Sequence, residues 1–307
     1  MNQALKVTNL SKSYGEILAV DHINFQVKEG ELFGFLGPNA AGKTTTIRIL
    51  TGVIKPDGGT ASILGYDIQK ESLMARQMIG IVPEMANAYI DLSAWNNIML
   101  IGELYGIQKK VRREKAIELL KKFELYERKK QLVKGFSKGM KQKLLLCMAM
   151  VNNPKILFLD EPTSGLDVES QRLIRDMIQE LNKKGTTVFL TTHNMEEANQ
   201  LCDRIAIINH GRIAVVDSPE NLRMRSSGLR MIEVSFDKTI GIENFFKMRG
   251  VKDTKKIGDK IRLYIDEPTV VLEELTDFAR LKKLKIVSLN ILSPTLEDVF
   301  IKLVRES

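Results

Sequence analysis

The sequence predicts an α/β fold with a largely parallel central sheet, followed by a smaller α+β unit. Short continuous apolar runs, as expected for strands buried on both faces, alternate with helical patterns over roughly the first two thirds of the chain. The first long run leads into a glycine-rich loop and so opens a strand–loop–helix unit. Beyond Ser218-Pro219 alternating segments take over, and a separate unit is predicted there.

The glycine-rich loop has the sequence Gly37-Pro38-Asn39-Ala40-Ala41-Gly42-Lys43-Thr44-Thr45 and fits the pattern G-x-x-x-x-G-K-[ST] at every required position. Residues 32–36 before it predict a buried strand, and residues 45–50 after it predict a helix closed by Gly52. The loop amides and the helix N-terminus form an anion cradle, Lys43 adds charge against the β- and γ-phosphates, and the Thr44 hydroxyl is placed to ligate Mg²⁺. This phosphate loop predicts a nucleotide site, against the alternative of a glycine-rich turn without a ligand.

The composition suits a soluble globular chain, with 307 residues, 44% of them hydrophobic and 27% charged. The longest apolar run, residues 144–151, falls well short of the ~18 residues of a membrane span, and the N-terminal segment lacks the apolar stretch of a signal peptide. We therefore expect a cytoplasmic chain. Cys147 and Cys202 lack metal-ligand spacing and are expected to be buried and reduced.

Most of the net charge of +8 comes from one basic segment, residues 108–143, which holds fourteen Lys and Arg against four Glu. Solvated helix faces are one interpretation of such a segment. A surface turned towards an anionic membrane or a protein partner is another, and a nucleic-acid contact is a third.

Residues 6–10 and 23–27 show alternating patterns that predict antiparallel strands flanking the nucleotide strand. Tyr14 lies in a polar stretch between them. Its ring is suited to stack on a purine, although a lone tyrosine there is more commonly an ordinary loop residue.

Residues 79–82 predict a second core strand that brings Glu84 to the sheet edge where α/β proteins contact ligands. From about residue 92 to residue 132 the apolar spacing becomes helical and indicates an inserted helical subdomain. The segment Phe136-Ser137-Lys138-Gly139-Met140-Lys141-Gln142 then leads into an apolar helix, with Ser137 placed as its N-cap. The N-terminus of that helix is a second anion site, separate from the first.

The apolar run 156–159 predicts a strand buried on both faces, and it ends in the adjacent carboxylates Asp160 and Glu161. Asp160 suits Mg²⁺ coordination, and Glu161 suits orientation and deprotonation of an attacking water. The alternative is a pair of surface acids at a strand end. After the turn Ser164-Gly165-Leu166-Asp167 and an amphipathic helix, strand 187–190 places His193 at the same sheet edge.

The order GPNAAGKTT, FSKGMKQ, ILFLDEP, SGLD and TTH resembles the ATP-binding subunit of ABC transporters over residues 1 to about 215. Such subunits have a RecA-like P-loop NTPase core with an antiparallel β subdomain and an inserted helical subdomain. The resemblance implies an ATP-binding domain over residues 1–218, with its helical subdomain at about 92–152. It also implies head-to-tail dimers, of identical or different subunits, with ATP between the phosphate loop of one and the FSKGMKQ signature of the other.

By the same resemblance, Ser137 and Gly139 would contact the γ-phosphate across the dimer, and Asp167 would link the two sites. His193 would sense the γ-phosphate. Tyr14 would stack on the adenine, which reverses the interpretation of that tyrosine as an ordinary loop residue.

Two residues depart from the family pattern. Ala40 stands where the family usually has Gly, and an alanine with φ above zero would cost ~1 kcal/mol or more and reduce nucleotide affinity. Glu84 stands where many members have Gln. A carboxylate can still ligate Mg²⁺ beside Thr44 and Asp160, or hold water, but it adds negative charge near the phosphates.

Residues 219–307 carry no nucleotide motif and are expected to form a regulatory or dimerisation domain. Three alternating segments predict strands, at 232–236, 261–265 and 287–291, and two helical patterns lie at 242–248 and 270–284. A ferredoxin-like α+β sandwich is expected. Ser293-Pro294-Thr295 places a cap and a first-turn proline before a final helix. Together with the signature, this tail resembles the drug-resistance type of export ATPases, whose permeases are separate chains.

We therefore expect an ATPase that binds ATP and Mg²⁺, dimerises on ATP and drives a separate membrane permease, for export, from the cytoplasmic face of the cell membrane. The alternative is a soluble ABC-type ATPase acting on ribosomes or nucleic acid, which the basic balance favours. Such proteins usually carry two cassettes or a long coiled coil, so no nucleic-acid partner is expected. A kinase ranks third, because no acceptor-substrate domain is evident.

The permease contact is expected in the groove between the Glu84 loop and the helical insertion, roughly residues 83–104. Trp95, the one tryptophan of the chain, lies in this stretch. Two interpretations remain open, an aromatic anchor at the interface and a tryptophan packed inside the insertion.

Overall fold

A computed structural model describes residues 2–84, 88–225, 230–292 and 296–300. The chain divides into two compact units, Met1–Ser218 and Pro219–Glu306. Within the described ranges, no helix combines the length and the apolarity needed to cross a membrane.

The central sheet of the first unit comprises the strands β3 Leu32–Leu36, β6 Ile79–Val82, β7 Ile156–Asp160, β8 Thr187–Thr192, β9 Arg204–Asn209 and β10 Arg212–Asp217. Their order is β10-β9-β3-β8-β7-β6, and neighbours are parallel except for the antiparallel pair β9 and β10. Every residue of β3, β7 and β8 is buried, which explains the apolar runs at 32–36, 156–159 and 188–190. The predicted α/β fold with a parallel central sheet is confirmed.

A second, antiparallel sheet comprises β1 Gln3–Tyr14, β2 Ile17–Lys28, β4 Gly58–Ile63 and β5 Tyr66–Asp67, in the order β2-β1-β4-β5. Its inner face packs on the central sheet. The Phe25 ring of β2 lies 5.6 Å from Phe33 and 5.9 Å from Phe189, measured between ring centroids. Stacked and tilted rings at these distances add to the area that they bury. Tyr14 is the last residue of β1 and pairs with Ile17, so it is a strand residue and not the loop residue that the sequence suggested.

The helices of the first unit are α1 Lys43–Leu50, α2 Ser72–Gln77, α3 Ala94–Leu104, α4 Lys109–Lys122, α5 Lys138–Met150, α6 Val168–Lys183 and α7 Met195–Leu201. Helices α3 to α5 lie between β6 and β7 in the chain, and they form the predicted helical insertion. The predicted apolar stripe of α4 is buried at Ala116, Leu119 and Leu120, while most of its Lys and Arg residues are exposed. Solvated helix faces therefore account for much of the basic segment.

The second unit comprises α8 Pro219–Arg225, β11 Arg230–Phe236, β12 Val251–Ile257, β13 Lys260–Ile265, α9 Pro268–Leu281 and β14 Ile286–Leu292. Its antiparallel sheet has the order β12-β13-β11-β14. The core lies between the sheet and α9 and includes Val234, Leu263, Val271 and Leu275. This is the strand order of a ferredoxin-like sandwich, with the first connection largely irregular.

Two details of that unit differ from the sequence prediction. The helix predicted at 242–248 is wrong, since only the single 3₁₀ turn Ile242–Asn244 forms there. Strand β12 was not predicted at all. The cap and proline predicted at 293–295 lie outside the described residues, and residues 296–300 are helical.

Candidate functional site

A cavity of about 550 Å³ opens at the carboxyl ends of the central strands, and we call it the nucleotide cavity. It is lined by the residues Tyr14, Ile17, Ala19, Asn39, Ala40, Ala41, Gly42, Lys43, Thr44, Thr45, Glu84, Glu161, Ser164 and His193. Residues from the phosphate loop, the Glu161 turn and three further segments, at 14–19, Glu84 and His193, thus come together from distant parts of the sequence. The open edge of parallel strands is where α/β sheets bind ligands.

The phosphate loop needs glycine at both ends for steric reasons. A Cβ at Gly37 would lie 2.5 Å from the carbonyl oxygen of Ile208. Gly42 has φ of 107°, and a Cβ there would collide with the carbonyl oxygen of Ala19. Glycine is therefore required where the loop passes β9 and where it enters α1.

Ala40 has φ of 64°, which is the left-handed region. The cost predicted for an alanine with φ above zero therefore applies to Ala40. A Cβ in this conformation costs roughly 1–2 kcal/mol, and a glycine would avoid that cost. The loop therefore holds strain at one of the residues that line the nucleotide cavity.

Lys43 is the first residue of α1 and is buried. Its ammonium group donates hydrogen bonds to the carbonyl oxygens of Gly37, at 2.8 Å, and Pro38, at 3.1 Å. It also lies 3.4 Å from Oε1 of Glu161. The carbonyl oxygens of Gly37 and Pro38 thus hold the ammonium group of Lys43 at the wall of the cavity.

Asp160 and Thr44 form a cluster of oxygen atoms beside the lysine. Thr191 Oγ1 donates to Asp160 Oδ1 at 2.5 Å, and the Thr44 hydroxyl is hydrogen-bonded to the same carboxyl group. Burial raises the pKa of Asp160, because a carboxylate loses hydration there. A nearby cation would reverse that effect and stabilise the charged form.

The donor set at this cluster fits Mg²⁺, which takes carboxylate, hydroxyl and water oxygens in proteins. The described residues place no group of three or more His, Cys, Asp and Glu side chains in a metal-binding arrangement. A magnesium ion here would therefore rest on Asp160 and Thr44, with waters and phosphate oxygens in its other positions. Glu84 lines the same cavity, and residues 85–87 after it lie outside the described ranges.

Glu161 is buried between two basic groups. His193 Nδ1 lies 2.8 Å from its Oε2, and Lys43 lies at its other oxygen. The Glu161 N–H donates to both the carbonyl oxygen and the hydroxyl of Thr191. Glu161 has φ of 50°, a left-handed conformation that non-glycine residues adopt mainly where the surrounding structure enforces it. Its carboxylate is consequently fixed in direction and faces the cavity.

Three of the predicted site residues lie outside the nucleotide cavity. Ser137 caps α5 and accepts a hydrogen bond from the Met140 N–H at 3.2 Å. Asp167 caps α6 by accepting bonds from the N–H and the hydroxyl of Ser170, and these bonds lower the pKa of Asp167. A Cβ on Gly139 would lie 2.8 Å from the Ser170 hydroxyl, so the N-termini of α5 and α6 are adjacent. The signature and Asp167 thus belong to one surface, separate from the cavity.

Tyr14 lies at the rim of the nucleotide cavity and is 48% exposed, so its ring is available to a ligand. Thr191 was missed by the sequence interpretation, although it orients Asp160 and Glu161. A signal was present, because a threonine at the carboxyl end of a buried parallel strand is paired in register with Asp160 on the neighbouring strand. The strand order needed to see this pairing is not visible in the sequence.

The fold and this cavity define a P-loop ATPase. Comparisons with known proteins agree. Residues 20–164 match the family described as ABC transporter, and residues 218–304 match the family described as ATP-binding protein DrrA1-3-like, C-terminal domain.

Two curated relatives align over nearly the whole chain. The linearmycin resistance ATP-binding protein LnrL of Bacillus subtilis is 35% identical over 97% of this chain and 97% of its own length. The Nod factor export ATP-binding protein I of Sinorhizobium fredii is 36% identical over 98% of this chain and 85% of its own length.

Two solved structures share the fold of the first unit. An ATP-binding subunit of an ABC transporter has a TM-score of 0.67 and 29% identity, over 73% of this chain and 93% of its own. The ATP-binding cassette MJ0796, in a dimeric post-hydrolysis state bound to ADP and Pi, has a TM-score of 0.64 and 28% identity, over 70% and 98%. The chain belongs to the ATP-binding subunits of ABC transporters, and it is an ATPase.

Proposed function

We propose that two subunits of this kind close head to tail around ATP and power a separate membrane permease, for export. The observation that carries the proposal is the division of the predicted site into two surfaces. The phosphate loop, Glu161 and His193 line the nucleotide cavity, and Asp160 is hydrogen-bonded to the cavity residue Thr44, whereas the signature and Asp167 lie on another surface. A single subunit therefore presents two half-sites, and a second subunit is needed to complete each one.

In this proposal the phosphate chain of ATP lies along the N-terminus of α1. Loop amides from Asn39 to Thr45 and the positive end of the helix favour the negative charge, and Lys43 supplies a full charge. The bonds from Lys43 to the loop carbonyls hold its ammonium group in place before ATP arrives. Tyr14 stacks on the adenine at the rim. The Tyr14 ring and the phosphate loop thus hold the adenine end and the phosphate end of the nucleotide.

Thr44 and Asp160 hold the magnesium ion, and Glu84 contacts it directly or through water. When bound, Mg²⁺ neutralises charge on the β- and γ-phosphates. The negative charge of Glu84, where many members of the family have Gln, makes phosphate binding more dependent on the cation.

Hydrolysis depends on Glu161. Its carboxylate lies at the wall of the cavity with both oxygens held, and it orients a water and takes its proton. His193 holds Oε2 of Glu161 and senses the γ-phosphate, while its own side chain remains 54% exposed. Because its side chain is exposed, His193 can exchange its contact with Glu161 for one with the γ-phosphate when the second half-site closes.

The second half-site contributes Ser137 and Gly139 to the γ-phosphate of the opposing subunit, and Asp167 links the two sites. Ser137 and Asp167 each cap their own helix, so both residues lie at helix N-termini, where backbone N–H groups favour negative charge. The dimeric form of the MJ0796 cassette with ADP and Pi supports this arrangement.

The permease contact is proposed at a groove of about 350 Å³ beside β6, which ends just before Glu84. The groove is formed by core and insertion residues, namely Thr51, Gly52, Val53, Leu73, Arg76, Gln77, Ile79, Ile81, Leu104 and Tyr105. Val53, Leu73 and Leu104 are each about 70% exposed there, which favours an apolar partner. Trp95 is half-buried and lines a different cavity, together with insertion residues such as Tyr126 and Lys129.

Export is supported by what the relatives are named for, linearmycin resistance and Nod factor export. A position on the cytoplasmic face of the membrane is part of the same proposal. The second unit regulates or stabilises the dimer in this proposal, because its sequence carries no nucleotide motif and so suggests no catalytic role. The alternative of a ribosome or nucleic-acid ATPase rests on the basic balance alone. Much of that charge is accounted for by the exposed faces of α4.

The chemistry is tested by two substitutions in the purified full chain. Glu161→Gln is expected to keep ATP binding and to lose hydrolysis by about 100-fold or more, as for a missing general base. Lys43→Ala is expected to weaken binding itself. ATP affinity by equilibrium titration and phosphate release separate the two outcomes, and a Glu161→Gln variant that hydrolyses ATP at the wild-type rate would refute the assigned role.

The partner is tested by co-purification from detergent-solubilised membranes. An integral membrane chain recovered with the subunit, and lost with Leu104→Asp, is expected. Recovery of ribosomes or nucleic acid in its place would favour the alternative.

A further inference from the structure

Glu197 lies directly behind the catalytic carboxylate although it takes no part in the chemistry described above. It belongs to the first turn of α7 and is 1% exposed. Its Oε1 accepts a hydrogen bond of 2.7 Å from the hydroxyl of Thr163, which is itself buried. A carboxyl group buried this deeply is costly unless its hydrogen bonds are used by the structure.

The Thr163–Glu197 hydrogen bond joins two segments, 161–163 and 193–197, that the Glu161–His193 contact also joins. Thr163 follows Glu161 by two residues, and α7 follows His193 closely along the chain. The Glu161 and His193 side chains meet at 2.8 Å at the surface of the cavity. Thr163 and Glu197 meet below it. The two hydrogen bonds and the short chain segments between them form a closed ring.

Every other link of the ring is hydrogen-bonded as well. Asn194 Oδ1 accepts from the Glu196 and Glu197 N–H groups, which fixes the start of α7 next to His193. On the opposite side, the Ser164 N–H donates to the Glu161 carbonyl oxygen at 3.1 Å. The turn that begins at Glu161 is thereby tied to α7 rather than free to relax.

The ring matters because the Glu161 backbone is strained. A φ of 50° at a non-glycine residue persists where the surrounding structure over-determines it. The Thr191 contacts hold the amide of Glu161 from the β8 side, and the Thr163–Glu197 bond holds the following turn from the α7 side. Loss of either support would let the carboxylate of Glu161 turn away from the position in which it faces the cavity.

We propose that Glu197 is a positioning residue for Glu161, acting through its hydrogen bond with Thr163. The proposal rests on the role assigned to Glu161 above. Burial is the main cause that raises the pKa of Glu197, and the hydrogen bonds from Thr163 and Thr192 oppose it. Oε1 can accept the Thr163 hydrogen bond in either protonation state, more strongly when the carboxyl group is charged, so the positioning contact is present in both states.

The test compares four variants of the full chain by kcat and KM for ATP. Glu197→Ala and Thr163→Val both remove the bond, and each is expected to lower kcat about 10-fold or more, because small displacements of a reacting group are costly. KM is expected to change by less than about three-fold, since the phosphate loop is untouched. Glu197→Gln keeps an acceptor for Thr163 and is expected to restore most of the activity. Glu196→Ala removes a neighbouring exposed carboxylate from the same helix turn and serves as the matched control.

The outcomes separate positioning from simple support of the fold. Equal losses in Glu197→Gln and Glu197→Ala, a kcat within about three-fold of wild type in Thr163→Val, or a loss confined to KM would each overturn the proposal. If Glu197→Ala does not fold, Thr163→Val and Glu197→Gln still decide it. Glu161→Gln, measured in parallel, tests the role of Glu161 independently: full activity in that variant would refute the proposed function and not the Thr163–Glu197 link alone.

Discussion

Ala40→Gly is expected to stabilise the protein, although glycine substitutions usually destabilise. The φ of 64° at Ala40 costs roughly 1–2 kcal/mol that glycine does not incur. Against this, glycine adds freedom to the unfolded chain worth about 0.5–1 kcal/mol. The difference leaves a net stabilisation of about 0–1.5 kcal/mol in the free energy of unfolding.

The neighbouring residue provides a matched control. Ala41 is buried and lies outside the left-handed region, so Ala41→Gly removes the same methyl group without any relief of strain. It is expected to destabilise by about 1–2 kcal/mol, from the unfolded-chain freedom and the lost burial together. The two variants should therefore differ by about 2 kcal/mol in urea unfolding of the nucleotide-free protein.

A second readout asks whether the strain changes on binding. If the loop relaxes without ATP and is forced into the left-handed conformation by the phosphates, Ala40→Gly will also tighten ATP binding in an equilibrium titration. Equal losses of unfolding free energy in Ala40→Gly and Ala41→Gly would show that the Ala40 backbone carries no relievable strain, and the reasoning would fail.

Three further predictions concern other parts of the chain. Trp95→Ala is expected to lower the free energy of unfolding by less than the ~3 kcal/mol of a fully buried tryptophan, because Trp95 is half-buried, and to leave permease assembly intact, because Trp95 lies outside the proposed groove; lost assembly among folded molecules would place the contact at the Trp95 cavity instead. A fragment ending at Ser218 is expected to bind ATP with near-native affinity. A fragment that folds but does not bind ATP would show that the ATP-binding domain does not end at Ser218. Burial raises the pKa of Glu197; the charge of Glu161 adds to this effect and the charge of Arg175 opposes it. Above pH 4.5 the folded state therefore holds a proton on Glu197 that the unfolded state has lost, and wild-type stability should fall, relative to Glu197→Gln, as the pH rises. Melting temperatures of the two proteins across pH 5 to about 8 check this, and parallel curves would contradict it.

The central sheet was predictable because its strands are buried on both faces. Apolar residues dominate such positions, so β3, residues 156–159 of β7 and residues 188–190 of β8 appear in the sequence as apolar runs. The phosphate loop was predictable for a different reason, since a Cβ at residue 37 or 42 would collide with the backbone of the strands that the loop passes, at Ile208 and Ala19. Where one residue type alone satisfies the geometry, the sequence carries the information directly.

Strand β12 shows the opposite case. Its sequence, VKDTKKI, has a single buried residue, Thr254, because β12 lies at the edge of its sheet. Edge strands carry charges that prevent pairing with other chains, and these charges hide the strand pattern. Glu197 was hidden similarly: it looks like Glu196 beside it in the sequence, and only the packing of α7 against the Glu161 turn makes one buried and the other exposed.

The most direct test of the head-to-tail dimer is sedimentation of Glu161→Gln with and without ATP and Mg²⁺. This variant is expected to hold ATP unhydrolysed and to shift from monomer to dimer when ATP is added. Adding Ser137→Arg to the same variant should block the signature surface and keep it monomeric, while ATP still binds to the phosphate loop. A Glu161→Gln variant that binds ATP tightly yet stays monomeric, with the permease present as well as without it, would contradict the two-subunit site.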